Sequence, residues 1–253
     1  MHLHFVNKQQ FRNFALATRL EAKIKYKNSM TKYAIIVAGG SGHRFGSQKP
    51  KQFCLLAGKP VLMHTIEKFA AVPNCKIIVV LPENFIDWWA DLCSEYQFTT
   101  EHSVVAGGNS RFASVKNAIS TITNALDGDI IAVHDGVRPL ISTALIEKIF
   151  SEAATHASAI PATEVTDSIR QTDANGHSTA LCRASLRAVQ TPQTFDAKLL
   201  IDAYNVPYAD FFTDDASVFE HAGHAIHLVE GEVNNIKITH PNDIFIAEFL
   251  LKK

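Results

Sequence analysis

The chain has 253 residues, 47% of them hydrophobic, with 24 Lys and Arg against 25 Asp and Glu. That is the size of one globular domain with enough apolar surface to fold, which excludes a disordered chain. No apolar run approaches the roughly 18 residues that span a bilayer, and a net charge of −1 argues against a nonspecific nucleic-acid binder.

The first 29 residues stand apart. Lys8, Arg12, Arg19, Lys23, Lys25 and Lys27 face the single acid Glu21. Such a basic start reads either as a transit-type leader or as a segment ahead of a fold that begins near Met30, and composition favours the second. From there the expected domain runs over 30–253. Residues 33–38 (YAIIVA) form a short continuous apolar run, as a buried parallel strand requires. A Gly-rich loop follows, then an amphipathic helix over 61–72, with Leu62, Ile66 and Phe69 on one face. Residues 76–81 (KIIVVL) give a second buried strand, 84–96 a helix, 103–106 a short strand, and 110–122 another helix. Residues 130–134 (IIAVH) are a further buried strand, and a helix over 142–154 starts at the N-cap Ser142. Trp88 and Trp89 read as packing residues of their helix.

Alternating strands and helices imply right-handed βαβ units, hence an α/β fold of the Rossmann-like kind, mostly parallel, with helices on both faces. Beyond residue 159 the pattern changes. Residues 166–171 alternate as a strand does, Asp173-Ala174-Asn175-Gly176 is a turn signal, and strand-like residues resume at 178–182. This hairpin, an arm over about 164–186, is too short to bury a core of its own and is expected to pack on something else, such as a second subunit. The α/β pattern returns at 197–204, 216–221, 226–229 and 236–238, with a last helix over 242–251. Thr213 is the expected N-cap of the helix containing Ala216.

The four cysteines, Cys54, Cys75, Cys93 and Cys182, form no C-x-x-C pair. Neither a zinc framework nor disulfides are expected, and a reducing cytoplasm fits.

Ligands on such a sheet bind beyond the carboxyl ends of the strands. Three of those ends carry chemistry: 39–51, 107–114 and 135–138. The loop Ala38-Gly39-Gly40-Ser41-Gly42-His43-Arg44-Phe45-Gly46 can present backbone N–H groups to phosphate. Its glycines at 40, 42 and 46 are spaced one residue too wide for the dinucleotide fingerprint, and no Walker A pattern follows. Arg44, Lys49 and Lys51 lie close together with no acid among them, which suits a polyphosphate. Asp135, at the end of a buried strand, reads either as a Mg²⁺ ligand or as a turn-capping carboxylate. His134 reads as a packed or hydrogen-bonded histidine. Asp214 and Asp215 read as a helix start.

The stretch from Ala38 to Gly46, followed by Pro50-Lys51-Gln52-Phe53, resembles the signature of the sugar-phosphate and polyol-phosphate cytidylyltransferases. Further matches are Gly107-Gly108-x-x-Arg111-x-x-Ser114-Val115, His134-Asp135-Gly136-Val137-Arg138-Pro139 and Thr166-Asp167-Ser168-Ile169. Gln190-Thr191-Pro192-Gln193-x-Phe195, Thr213-Asp214-Asp215-Ala216-Ser217 and Asn235-Ile236-Lys237-Ile238-Thr239 complete the set, in family order from about residue 33 onwards. The full set is most similar to the methylerythritol-phosphate branch of that family, which works in non-mevalonate isoprenoid synthesis. The ribitol-phosphate branch shares most of the motifs. A nicotinamide-dependent oxidoreductase and a non-catalytic nucleotide-binding module are the rivals from other classes.

The resemblance implies that Arg44, Lys51, Arg183 and Lys237 carry catalysis by holding charge on CTP and on the polyol phosphate, with Mg²⁺ as cofactor. It assigns CTP to Ala38, Gly39, Gly40, Gly42, Gly107, Arg111, Ser114 and Asp135. It assigns the polyol phosphate to Asp135, Arg138, Ser168, Arg183, Thr191, Lys237 and Thr239. It also implies a homodimer in which the hairpin arm of one subunit brings Ser168 and Arg183 to the other's pocket.

Overall fold

A computed structural model describes residues 30–40 and 50–252. Gly42, Arg44, Lys49 and the basic extension over 1–29 lie outside the described residues.

The strands are β1 (Lys32–Val37), β2 (Leu55–Leu56), β3 (Lys59–Pro60), β4 (Cys75–Leu81), β5 (Ser103–Ala106) and β6 (Ile130–Asp135), then β7 (Ser158–Glu164), β8 (Arg170–Thr172), β9 (Ser178–Ala180), β10 (Arg187–Val189), β11 (Gln193–Asp196) and β12 (Leu228–Glu230). The α-helices are α1 (Val61–Ala70), α2 (Ile86–Glu95), α3 (Arg111–Ser120), α4 (Thr143–His156), α5 (Ala197–Ala203), α6 (Asp215–His221) and α7 (Asn242–Leu251).

Eight strands form the main sheet in the order β10-β7-β11-β6-β1-β4-β5, with β12 paired to β7. The centre is parallel: β1 pairs β4 and β6, and β4 pairs β5. β11 runs antiparallel to both β6 and β7.

Successive side chains of a strand point to opposite faces, so the apolar runs supply two cores at once. Ala34, Ile36, Val79, Leu81 and Ala132 face the side covered by Leu62, Ile66 and Phe69 of α1, Trp89 and Leu92 of α2, and Ile146 and Ile149 of α4. Tyr33, Ile35, Ile78, Val80, Ile131 and Val133 face Phe112, Val115 and Ile119 of α3, Leu200 of α5 and Phe219 of α6. A smaller cluster, Leu56, Val61, Val137, Ile238 and Ala247, seats α7.

Several elements depart from the sequence pattern. β7, β10 and β11 have no counterpart among the expected strands. The helix expected over 84–96 begins as a 3-10 turn, Glu83–Phe85, before α2. Residues 236–238 form no strand; Ile238 N–H makes one bond to Val137 O (2.9 Å) instead of a ladder. The N-cap of α6 is Asp214, not Thr213: its carboxylate accepts from Ser217 N, and Ser217 Oγ reaches back to the Asp214 backbone. Ser142 does cap α4, accepting from Leu145 N at 3.0 Å.

β8 and β9 form a separate two-stranded hairpin, Arg170 opposite Ala180. Asp173 closes its tip by accepting from Asn175 N and His177 N, both at 2.9 Å. Both strands are exposed along their whole length.

Candidate active site

A cavity of about 350 Å³ opens at the carboxyl ends of β1, β5 and β6. Its walls include Ala38, Gly39, Gly40, Lys51, Arg111, Ser114, Asp135 and Lys237. The three strand ends singled out in the sequence therefore converge on one hollow.

Lys51 sits on a one-turn 3-10 helix, Lys51–Phe53, and the two residues after it fix that turn. Phe53 is fully buried against Trp88 and Phe85, with ring centroids 4.9 and 5.8 Å away. Gln52 is buried and donates from Nε2 to Ala38 O at 2.7 Å. The turn is thus tied to the end of β1. Trp89 packs as expected and donates from Nε1 to His102 Nε2 at 3.0 Å.

Across the hollow, Gly107 and Gly108 let the β5–α3 loop close on the helix. A Cβ on Gly107 would lie 3.0 Å from Ser114 Oγ, and one on Gly108 only 2.5 Å from the Ala113 Cβ. Ser114 Oγ accepts from Gly108 N at 3.1 Å, and Ser110 caps α3 by accepting from Ala113 N at 3.0 Å. Ser110, Arg111 and Ser114 place the N-terminus of α3 on the cavity wall, where the helix dipole favours an anion.

Arg111 is fixed by Asp215, which in the sequence reads as a simple helix start. Asp215 is fully buried; its Oδ2 lies 2.6 Å from Arg111 Nη2, and its Oδ1 accepts from Tyr204 OH at 2.6 Å. Burial would lower the Arg111 pKa, but Asp215 more than offsets this and raises it, so the guanidinium keeps its charge.

Asp135 ends β6 at the cavity floor. Its Oδ2 meets Lys237 Nζ at 3.0 Å and Arg138 Nε at 3.2 Å. Burial alone would raise its pKa, but Lys237, Arg111 and Arg138 together hold it well below the usual carboxylate range. Arg138 also donates from Nη1 to Asn235 O at 2.8 Å. Asn235 is buried and donates from Nδ2 to Thr191 O at 2.9 Å. Gln190 donates to Glu232 O at 2.8 Å. The irregular segment carrying Lys237 is thereby stitched to the segment carrying Thr191.

His134 and Thr191 form a buried relay beneath Asp135. Burial lowers the His134 pKa to about 4, so the ring is neutral at pH 7. Its Nε2 lies 3.2 Å from Arg138 O, a pure acceptor, which assigns the proton to Nε2. Nδ1 therefore accepts from the Thr191 hydroxyl at 3.1 Å, and Thr191 Oγ1 accepts from Asp135 N at 3.1 Å. The Thr191 hydroxyl is committed to holding the β6 end. Thr239 Oγ1 bonds locally to Lys237 O at 3.2 Å.

Ser168 and Arg183 stand apart from this cavity. Both are exposed, and Arg183 donates to Thr166 O at 2.5 Å beside a second hollow lined by Glu164, Thr166 and Arg187. His134 is the packed, hydrogen-bonded histidine expected from the sequence, whereas Gln52, Asn235 and the buried pairing of Asp215 with Arg111 are structural partners that the sequence does not assign. Each lies inside a quoted motif, and its polarity between buried neighbours was the available signal.

The family model for IspD, 2-C-methyl-D-erythritol 4-phosphate cytidylyltransferase, matches residues 32–253. The chain belongs to that family. A relative in Porphyromonas gingivalis with the same description is 46% identical over 221 residues, covering 87% of this chain and 97% of the relative. One in Bacteroides fragilis is 44% identical over 223 residues, covering 88% and 100%. Among solved structures, the Francisella tularensis 2-C-methyl-D-erythritol 4-phosphate cytidylyltransferase superposes with a TM-score of 0.74 at 30% identity, over 87% of this chain and 99% of that one. The 4-diphosphocytidyl-2C-methyl-D-erythritol synthase of Anaerococcus prevotii gives 0.74 at 27%, over 88% and 97%. The IspD match begins at the first residue of β1 and takes in every described element. Among the described residues no helix is long and apolar enough to cross a membrane.

Proposed function

We propose that this chain transfers CMP from CTP to 2-C-methyl-D-erythritol 4-phosphate, giving 4-diphosphocytidyl-2-C-methyl-D-erythritol and pyrophosphate for isoprenoid synthesis. The observation that carries this reading is the gathering of Lys51, Arg111, Asp135 and Lys237 around one cavity of an IspD-family sheet.

An oxygen of the phosphomonoester attacks the α-phosphorus of CTP, and the bond to the bridging oxygen of pyrophosphate breaks. The attacking phosphate is largely a dianion near pH 7, since its second pKa is about 6. No general base is required. The protein's task is to bring two anions together and to neutralise the leaving group. Lys51, with Arg44 from the loop outside the described residues, serves the triphosphate. Lys237, held by Asp135, serves the incoming phosphate and the α-phosphoryl oxygens. The α3 N-terminus, Gly107 and Ser114 hold the nucleoside end with the β1 end, Ala38 to Gly40. Arg138 and Asp135 orient the polyol, and Thr191 and Thr239 support them.

Mg²⁺ takes one or two carboxylates together with phosphate oxygens. Asp135 is the only carboxylate lining the cavity among the described residues, and both of its cation contacts fall on Oδ2. That donor set fits an ion carried chiefly by the triphosphate, with Asp135 as its protein ligand. Bound there, Mg²⁺ would supply positive charge to the phosphates.

The exposed hairpin supports a homodimer in which Ser168 and Arg183 enter the partner's pocket and grip the polyol phosphate. Pyrophosphate release from CTP and Mg²⁺ tests the reading, with methylerythritol 4-phosphate and ribitol 5-phosphate in parallel. Release with the first substrate is expected. Release with ribitol 5-phosphate alone would overturn the substrate assignment, and silence with both would overturn the activity.

A further inference from the structure

The opposite end of the sheet carries a cluster that cytidylyl transfer does not use. Glu152 and His156 lie one turn apart on the last two turns of α4, which ends at His156. His227 comes from the segment that leads into β12. The two imidazoles stack, with centroids 3.9 Å apart and planes 17° from parallel. Nε2 of each ring lies 3.5 Å from the same Glu152 Oε2. The three donor atoms lie within 4.8 Å of one another.

These separations are too long for good hydrogen bonds, whose N···O distances are about 2.7–3.2 Å. They are close to the spacing of donor atoms around a small ion. Ligands bonded at about 2.0–2.1 Å to a tetrahedral ion sit about 3.4 Å apart. We propose that Glu152, His156 and His227 bind a divalent transition ion of the zinc class, with water in the fourth position.

The donor set suits that choice, since imidazole and carboxylate are ordinary zinc ligands. The scaffold is also fixed. Ala157 adopts a left-handed turn (φ 65°) that swings the chain from α4 into β7. Ser158 Oγ accepts from His227 N at 2.9 Å and donates to Ala225 O at 3.0 Å. Ile160 N donates to His227 O at 2.9 Å. The helix end and the His227 segment are therefore held together before any ion arrives. The carboxyl end of α4 adds a dipole that favours positive charge. Capture requires the rings to rotate out of their stack so that the Nε2 lone pairs converge. Their side chains are 44% and 38% exposed, so solvent gives them room to turn.

The site lies at the start of β7, whereas the catalytic cavity lies at the end of β6. The two strands run parallel, which separates the sites by the length of a strand, about 20 Å. The ion would act as a clamp between α4 and the β12 edge, not as a participant in transfer.

Calorimetric titration of the metal-stripped full chain with Zn²⁺ tests this, alongside His156→Gln, His227→Gln and the double variant. One strong site per chain is expected, weakened at least tenfold in each single variant and lost in the double. Co²⁺ should give the visible absorption of tetrahedral coordination in the parent only. Zn²⁺ should raise the melting temperature of the parent and not of the double variant. Unchanged pyrophosphate release by the double variant would show that it folds. Equal Zn²⁺ affinity in parent and double variant, or no Zn²⁺ uptake by the parent, overturns the proposal.

Discussion

Lys51 and His134 act on the same cavity by different physical routes. In the proposed reaction Lys51 offers its charge to the triphosphate, and the buried Gln52 and Phe53 fix the turn that carries it. Lys51→Ala removes the charge and leaves that anchor intact. Turnover should fall by about 10²–10³-fold, equivalent to roughly 2.7–4 kcal/mol of transition-state stabilisation, with little change in melting temperature. Steady-state pyrophosphate release and a thermal melt measured together check both halves. His134 is fully buried beneath Asp135 and sets a pH dependence instead. Its folded pKa, about 4, is depressed below the ordinary 6.5 because the ring is buried. Its contribution is therefore intact above pH 6.5. It is lost as pH falls towards 4, because the unfolded chain takes up the proton first. Between pH 7.5 and pH 5 this one residue should cost about 2 kcal/mol of unfolding free energy. His134→Gln, which cannot titrate, should flatten that part of a urea-denaturation pH series. An unchanged slope would place the acid sensitivity elsewhere. Asp135, also depressed, adds its loss only below about pH 4, where free carboxylates begin to protonate.

At the scale of elements, what was legible in the sequence follows what burial makes visible. β1, β4 and β6 are central parallel strands buried on both faces, so they read as unbroken apolar runs. β11 (QTFD) is equally interior but carries three polar residues in four, and pairing with β6 and β7 specifies it more than composition does. β7 reads SAIPATE, where Pro161 argues against a central strand until its pairing is known. The site divides the same way. Lys51 and Asp135 stood out at strand ends, one in a run of cations and the other closing a buried strand, whereas Arg111 and Lys237 were marked only by the family resemblance and the partners that aim them were not marked at all. Asp215 is the sharpest case. As the first residue of α6 it looks like ordinary helix-start chemistry, yet it is fully buried and ties α6 to Arg111 at the start of α3. Asp215→Asn removes the charge that the guanidinium faces and keeps an oxygen for Tyr204. Breaking a pair of this kind from one side costs about 3–5 kcal/mol. The variant should therefore shift the urea midpoint strongly and raise the KM for CTP. A midpoint within error of the parent would make the Arg111–Asp215 contact incidental.

At the scale of the whole molecule, the cavity as one subunit builds it lacks two of the proposed phosphate-binding side chains. Ser168 and Arg183 stand on or beside an exposed hairpin, and a two-stranded hairpin with no covered face is marginal alone. A symmetric pair of subunits exchanging hairpins would cover it and complete both pockets. The exchange predicts a behaviour that a self-contained active site cannot produce. Lys51→Ala damages the pocket of the subunit that carries it, whereas Arg183→Ala damages the pocket of its partner. Each homodimer is then poor at transfer. If the two variants are mixed, unfolded and refolded together, half of the dimers should be mixed pairs. In each mixed pair one pocket collects both lesions and the other collects none. Pyrophosphate release should recover to about a quarter of the unmutated level, since one pocket in four is intact in a random mixture. Refolding each variant alone controls for the procedure. If Arg183 served its own subunit's pocket, every pocket in the mixture would keep one lesion, and activity would stay at the average of the two variants. A recovery above that average is the signature of a site shared across the dimer.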